Sequence, residues 1–552
     1  MKNFKIMLSL VIAFVVGLFA LTACSSSSGV KASDVNITPT ATTQTVTLKL
    51  TFAANDNISA KTAVPSIYEY KYDETSEEYT YITKQEVEFS NSVYTSATVK
   101  FTSLTASTTY RYVLYITYNS YEEEITSLEV TTKSNSSVSD ATSIKTTDEF
   151  LAIAEDPEGY FSLDADLDFS NASITALFTA STPFKGTFLG NGHTISNFTL
   201  SAANYMGLFN VMNGAKLTDL NIENVVVDMS TGRSSSSIGA ISGLAVNSVI
   251  ENVEVTNVDF DFAGISSTTL YMGGAFGNVQ TSTITDVNVN NVDINISRVR
   301  LKMYLGLFAG AISGSVYNGA TYAVSDCYAT GSITSTLYFN STSTTSTGEL
   351  MLGGFIGNLT SNGLISDCYS DSDITIYKSD SSRGYATLHI GGFIGSGTNF
   401  NVNECVAITK LDINAGEIAE DDETSTTTTD TTITTTDASS TNVNDFTSVS
   451  LLANSELSTV TGDYYTYVGG FVGYAAEPYA RLANSYVYLK STTNYNALVT
   501  SYVSVDDFAG YNPYTEGTRY TDCKVTTDMS DYSAKYGADS SVYEYLVANY
   551  NA

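Results

Sequence analysis

The sequence predicts an all-β chain of two parts, a small β-sandwich followed by a long solenoid of stacked coils. Three observations lead there. First, a short glycine phrase recurs through the second part. It reads Gly273-Gly274-Ala275-Phe276-Gly277, Gly353-Gly354-Phe355-Ile356-Gly357, Gly391-Gly392-Phe393-Ile394-Gly395 and Gly469-Gly470-Phe471-Val472-Gly473. Looser copies start at Gly207, Gly239 and Gly306, and a worn eighth ends at Phe508-Ala509-Gly510. A unit repeated in this way cannot bury its apolar face alone and stacks on its neighbours. Second, segments such as Val46-Thr47-Leu48-Lys49-Leu50-Thr51-Phe52 alternate at period two, the pattern of half-buried strands. Third, the composition is rich in Thr, Ser, Val and Asn, with 39 Tyr, 25 Phe and only 6 Pro, which favours strands joined by Asn/Gly turns.

The 552-residue chain opens with Lys2 and Lys5, then an apolar run from Ile6 to Leu21 that ends in Leu21-Thr22-Ala23-Cys24. The run is too short and too near the terminus for a convincing spanning helix. It resembles the lipobox of bacterial lipoproteins. That resemblance implies loss of residues 1–23 as a signal peptide and a diacylglycerol on the Cys24 thiol. Residues 24–33 then form a flexible tether, and the chain is lipid-anchored to a membrane at the bacterial cell surface, outside the cytoplasm. An ordinary secretory signal with an incidental Cys is the alternative.

Charge narrows the partners. The chain carries 25 Lys+Arg against 58 Asp+Glu, a net charge of −33. Such a surface is repelled by nucleic acid and anionic lipid head groups, so nucleic-acid binding is excluded.

Residues 34–132 have the size of one sandwich and several alternating strands, among them Tyr112-Val113-Leu114-Tyr115-Ile116. Between two of them lies Leu104-Thr105-Ala106-Ser107-Thr108-Thr109-Tyr110. This stretch resembles the Leu-x-Pro-x-Thr-x-Tyr corner of fibronectin type III domains, whose Tyr hydroxyl bonds back to the chain. Ala106 stands where that family has Pro, and its core Trp is absent, with Leu50 or a neighbour expected in its place. No Arg-Gly-Asp loop is present. The resemblance implies a spacer sandwich. Residues 133–146 read as a Ser-rich linker. Thr147-Asp148-Glu149-Phe150-Leu151 then reads as a short helix capped by Thr147, with Phe150, Leu151 and Ala154 as its apolar stripe. It is expected to cover the open edge of the first coil.

The repeat region runs over 147–552. The phrases start at 207, 239, 273, 306, 353, 391 and 469, so the steps are 32, 34, 33, 47, 38 and 78 residues. Coils pairing at about 4.8 Å would make a rod roughly 40 Å long. Whether one repeat is one turn stays open at this level. The glycines are expected to supply positive φ at a corner and to admit close backbone approach. The neighbouring Phe or Leu is expected to stack inward. Pro183-Phe184-Lys185-Gly186-Thr187-Phe188-Leu189-Gly190-Asn191-Gly192-His193-Thr194-Ile195, with the phrases after it, resembles GLUG-motif repeats of bacterial surface proteins. The resemblance implies a right-handed parallel β-helix. The step of 78 contains an acidic, Thr-rich stretch at 417–445, expected to be a disordered insertion, and the Ser/Thr run at 341–347 accounts for the step of 47.

Of five Cys, Cys24 belongs to the lipobox. Cys327, Cys368, Cys405 and Cys523 fall at one repeat position that elsewhere holds Leu220, Val253, Val287 and Ser485. A position that accepts all of these is a small inward site, so buried free thiols are expected. A disulfide between adjacent coils and a metal site are the other readings, the latter weakened by the lack of any Cys-x-x-Cys.

The chemistry is sparse. Metallopeptidases need His-Glu-x-x-His or its equivalent, and some large proteins of the family resembled are peptidases. Here His193 and His389 stand alone, and both are expected to be structural. No phrase ends in Gly-Lys-Ser/Thr, so none is a phosphate loop. Asp164, Asp166 and Asp168 alternate as if on one strand face, either a polar face or a Ca²⁺ site. No catalytic residue, cofactor or metal ligand is assigned. The function expected is non-catalytic surface binding, adhesion to an extracellular protein or glycan. A polysaccharide lyase or hydrolase on the solenoid is the first alternative and a structural stalk the second.

Overall fold

A computed structural model of the chain describes residues 30–526 apart from several internal segments, the longest 414–464. Cys24, the predicted signal peptide and the insertion at 417–445 lie outside the described residues. The chain divides into two units, Met1–Lys133 and Ser134–Ala552.

The first unit is an antiparallel sandwich. Its strands are β1 (Val35–Ala41), β2 (Val46–Phe52), β3 (Ala63–Asp73), β4 (Glu78–Glu86), β5 (Ser96–Phe101), β6 (Thr109–Tyr118) and β7 (Tyr121–Thr131). One sheet has the order β1-β2-β5 and the other β4-β3-β6-β7. Alternation buries Val46, Leu48, Leu50 and Phe52 from β2 against Tyr110, Tyr112, Leu114 and Ile116 from β6. The Thr105 N–H donates to the Tyr110 hydroxyl at 2.9 Å, so the Tyr does bond back across the corner before β6. This fixes the turn although Ala106 offers none of the rigidity of Pro.

The second unit begins with helix α1 (Thr147–Ala152). Its cap is Thr146, one residue earlier than expected, because Thr146 is extended while Thr147 is already helical. Its hydroxyl accepts from the Glu149 N–H at 3.2 Å, and the Glu149 carboxylate accepts from the N–H groups of Lys145 and Thr146 at 2.8 and 3.1 Å, a reciprocal capping box. Leu151, expected in the apolar stripe, is exposed instead, and Phe150 and Ile153 are the buried pair. The Phe150 ring meets Phe169, Phe188 and Phe209 edge-on at 5.8–6.1 Å, which seals the first coil from within.

Beyond α1 the chain is a parallel β-helix with three faces. The strand before each glycine phrase belongs to a leading face, for example Lys302–Gly306, Gly348–Gly353 and Ala386–Gly391. The strand after it belongs to a trailing face, for example Ala309–Gly314, Ile356–Ser361 and Ile394–Thr398. Each of these faces has eight described strands, all parallel, and a long face of eighteen closes the coil. Register aligns Gly273, Gly306, Gly353, Gly391 and Gly469 one above the other. One repeat is therefore one turn. Asp506 takes the next place in that column, and Val472 pairs with Ala509, so the worn eighth phrase continues the same stack.

The glycines work by absence of a side chain rather than by positive φ, which none of them adopts. A Cβ on Gly354 would lie 2.0 Å from the Gly392 carbonyl oxygen of the next coil, and one on Gly392 would lie 2.0 Å from that of Gly470. The third glycine of each phrase faces backwards: a Cβ on Gly395 would lie 2.5 Å from the Leu352 nitrogen of the previous coil. Left-handed φ is carried elsewhere, on the long face, by Asp219, Asn252, Asp286, Asp326, Asp367, Glu404 and Asn484. Asp and Asn, whose short polar side chains tolerate this conformation best, fill most of these places, which explains the Asp before Cys327 and before Cys368.

Inside, Phe308, Phe355, Phe393 and Phe471 stack at 4.4–4.9 Å. Cys327, Cys368 and Cys405 are buried and free, and Cys523 is free and half-buried. Each of the first three thiols lies within hydrogen-bond reach of the carbonyl two residues back, and Ser485 repeats that geometry. Burial pushes the Cys327 and Cys368 thiols well above the ordinary range, so they stay protonated and inert. On the long face Asn224 donates to Asn197, Asn257 to Asn224 and Asn291 to Asn257, at 2.7–2.9 Å. This side-chain ladder locks neighbouring coils in register.

Gly354→Ala tests the close-approach role of the phrase. It should lower stability by roughly 3 kcal/mol or more, whereas Gly192→Ala, with nothing within 4 Å and φ of +75°, should lose only about 1–2 kcal/mol. Thermal melts of both variants followed by circular dichroism check the ranking.

Candidate functional site

The residues singled out in the sequence do not form one site. Asp164, Asp166 and Asp168 lie where the strand Tyr160–Leu163 turns into the strand Leu167–Ile174, not on one strand face. Each is engaged. Asp164 accepts from the hydroxyls of Ser143 and Ser162, Asp166 from the Thr194 N–H at 3.0 Å, and Asp168 from the Ser170 N–H at 2.7 Å and Asn197 at 3.0 Å. These bonds hold all three carboxyls below the usual range. His193 Nδ1 lies 2.9 Å from Asp166, tying the Gly190–His193 turn to the coil before it. Among the described residues no group of His, Cys, Asp and Glu is arranged to hold a metal ion.

His389 sits elsewhere, on the leading face, and sequence reasoning missed its setting. Two places before each phrase the chain reads Tyr205, Ser237, Tyr271, Tyr304, Met351, His389 and Tyr467, and register stacks them in one column, in which Ser237, Met351 and His389 are buried. Tyr271 and Tyr304 stack at 4.9 Å. His389 stacks on Tyr474 of the trailing face at 4.4 Å and meets Tyr467 at 5.4 Å. The fixed offset from the glycine phrase was the legible signal. Rings stacked along the axis turn their faces to one another and only edges outward, so this column is a seam between two faces. Burial, with Lys302 as a lesser cause, pulls His389 down to about 3, and its Nδ1 has no hydrogen-bond partner.

A more open surface lies on the long face across the first coils. A depression of about 570 Å³ is lined by Tyr160, Thr187 and Leu189 on its first coils and by Lys216, Thr218, Asp219, Glu251 and Asn252 on the next two. Parallel pairing builds it: Tyr160, Thr187 and Lys216 form one row, and Leu189, Thr218 and Glu251 the next, with Tyr160 and Thr218 largely buried at its floor. Lys216 pairs with Glu251 at 3.1 Å, and Asn252 donates to Asp219 at 2.6 Å. Both carboxylates are thus committed to donors. The surface offers fixed donors and acceptors beside an aromatic ring rather than a free acid–base pair.

The comparisons touch the same stretch. Residues 133–257 match the family described as the M26 IgA1-specific metallo-endopeptidase N-terminal region, which covers less than a quarter of this chain. None of the curated proteins matches the chain. Among solved structures it is similar to the pectate lyase Pel3 of Pectobacterium carotovorum at 10% identity, covering 70% of this chain and 87% of that one, with a TM-score of 0.13. At that score the strand pairing, not the neighbour, establishes the β-helix.

Neutral His389 gives a pH test. Its folded pKa is depressed, so in the unfolded chain it takes up a proton near pH 6.5 that the fold refuses until about pH 3. The stability it contributes is present above that unfolded value and is lost as pH falls through the interval. His389→Phe keeps the ring and should remove about 1.4 kcal/mol per pH unit of that slope between pH 6 and 4. Urea melts across pH, compared between the two proteins, measure it.

Proposed function

We propose that the chain is a lipid-anchored, non-catalytic binding protein of a bacterial cell surface, an adhesin that holds its β-helix outward to engage an extracellular glycan or glycoprotein. The observation that carries the reading is the polar depression on the long face. Its Lys216, Asn252 and Thr187 donors stand beside Tyr160 and the engaged carboxylates of Asp219 and Glu251. Fixed polar groups next to an aromatic ring suit a hydroxylated ligand. Supporting it are the lipobox at Cys24, the fibronectin type III-like corner closed by Tyr110, and the GLUG-like repeats beyond it. The family match, over residues 133–257, is to the N-terminal region of a metallo-endopeptidase. The non-catalytic part of the reading draws support from the two histidines, His193 being held to Asp166 and His389 buried in the corner seam.

The test is a glycan and glycoprotein array probed with the mature chain. Binding at micromolar protein that is lost in Lys216→Ala and Asn252→Ala supports the reading. Release of reducing ends from a polysaccharide panel, abolished by Asp219→Asn, would replace it with an enzyme. Loss of radiolabelled lipid in Cys24→Ala checks the anchor.

A further inference from the structure

The sandwich, expected to be a spacer, carries an unusual outer surface. The β4-β3-β6-β7 sheet turns Ile67, Tyr112 and Leu114 inward to the core. Its other side presents six tyrosines: Tyr68, Tyr70 and Tyr72 from β3, Tyr79 and Tyr81 from β4, and Tyr115 from β6. Their rings meet in tilted or edge-on pairs at 4.8–6.0 Å, Tyr115 on Tyr68, Tyr68 and Tyr70 on Tyr81, and Tyr72 on Tyr79. Tyr81 remains 52% exposed. Solvent-facing sheet surfaces are ordinarily polar, and a contiguous aromatic one marks an interaction site. Tyrosine gives such a site large, stiff contact area at little entropic cost.

Charge decides what the face suits. Register places Glu124 opposite Tyr115, Glu122 opposite Thr117 and Glu129 opposite Arg111, so β7 lines the rings with carboxylates. Two of the chain's own cations already show the pairing this creates. Lys84 lies 5.0 Å from the Tyr68 ring centre and 2.6 Å from Glu122. Arg111 lies 5.9 Å from the Tyr79 ring centre and 3.8 Å from Glu124. In each case a cation is held between an aromatic face and a carboxylate. Residues 34–132 hold thirteen Asp and Glu against six Lys and Arg, so the remainder of the face repels acidic partners. The Tyr68 and Tyr115 hydroxyls are spent on Glu122 and Glu124, which leaves them few bonds for sugar hydroxyls.

We propose that the outer face of the four-stranded sheet is a docking surface for a basic protein segment, whose Arg and Lys side chains lie across the tyrosine rings and pair with the β7 carboxylates. This surface is independent of the depression on the solenoid.

The experiment uses the mature chain from Ser25 onward and three fluorescein-labelled twelve-residue peptides of alternating Arg/Ser, Lys/Ser and Glu/Ser, read by anisotropy. Arg/Ser binding tighter than Lys/Ser, with none for Glu/Ser, is expected. Tyr68→Thr with Tyr81→Thr, which alters no charge, should weaken Arg/Ser binding about tenfold. Tyr81→Thr alone, at a half-exposed position, keeps the test valid if the double variant fails to fold. Asp259→Asn with Asp293→Asn on the solenoid should leave the affinity unchanged. Equal weakening by the solenoid pair, or none from the tyrosine variants, would reduce the effect to diffuse attraction by an acidic chain and overturn the proposal. No peptide binding, with glycan-array binding lost in the tyrosine variants, would overturn it in favour of a glycan face.

Discussion

The contact on which the rest of the β-helix depends is the backbone approach at the glycine corner. Where Gly354 and Gly392 lack a side chain, the carbonyl oxygen of the following coil occupies the space. Where Gly395 lacks one, the amide of the coil before it does. Leading and trailing strands are thereby drawn into a tight crease that any larger residue would open. Because the requirement is steric and recurs each turn, it sets both the cross-section of the coil and the register of all three faces.

Once that register is set, every position becomes a column. Inward columns can stack like on like, as the Phe308 to Phe471 rings do, or tolerate exchange among small apolar residues, as Leu220, Val253, Val287 and Cys327 do. The long face bends at left-handed Asp and Asn residues, and the asparagines also bond from coil to coil. Outward columns are under no such constraint. Binding surfaces are therefore read across coils, as in the row from Tyr160 through Thr187 to Lys216, rather than along the chain.

Much of this was legible before any coordinates. The glycine spacing located the coils, the shared Cys position identified one inward column, and the Leu104–Tyr110 stretch located the corner of the sandwich. What stayed hidden followed from physics that acts between coils. Asp164, Asp166 and Asp168 alternate in sequence, yet a turn separates them; Asp164 takes its donors from Ser143 and Ser162, while the next coil supplies Thr194 to Asp166 and Asn197 to Asp168. The phrase glycines suggested positive φ, but the strain was placed on Asp and Asn, whose side chains tolerate it. The seam of Tyr271, Tyr304, His389 and Tyr467 has no local pattern at all and emerges only when repeats are aligned on the glycines. The tyrosine face of the sandwich was hidden for a similar reason. Its rings come from three strands, and single alternating strands do not reveal which face is covered.

One turn per repeat is the claim beneath the whole account, and an interspin distance tests it most directly. Val226, Asp259, Asp293, Ser332, Asp373 and Lys410 occupy successive places in one outward column. The buried thiols of Cys327, Cys368 and Cys405 should not compete for label, and the half-buried Cys523 is replaced by Ser in every labelled variant. Nitroxides at Val226→Cys and Lys410→Cys, five coils apart, should give a backbone separation of about 24 Å, and moving the first label to Asp259→Cys should shorten it by about 4.8 Å. Distances that fail to change by one coil spacing for each repeat removed would contradict the account.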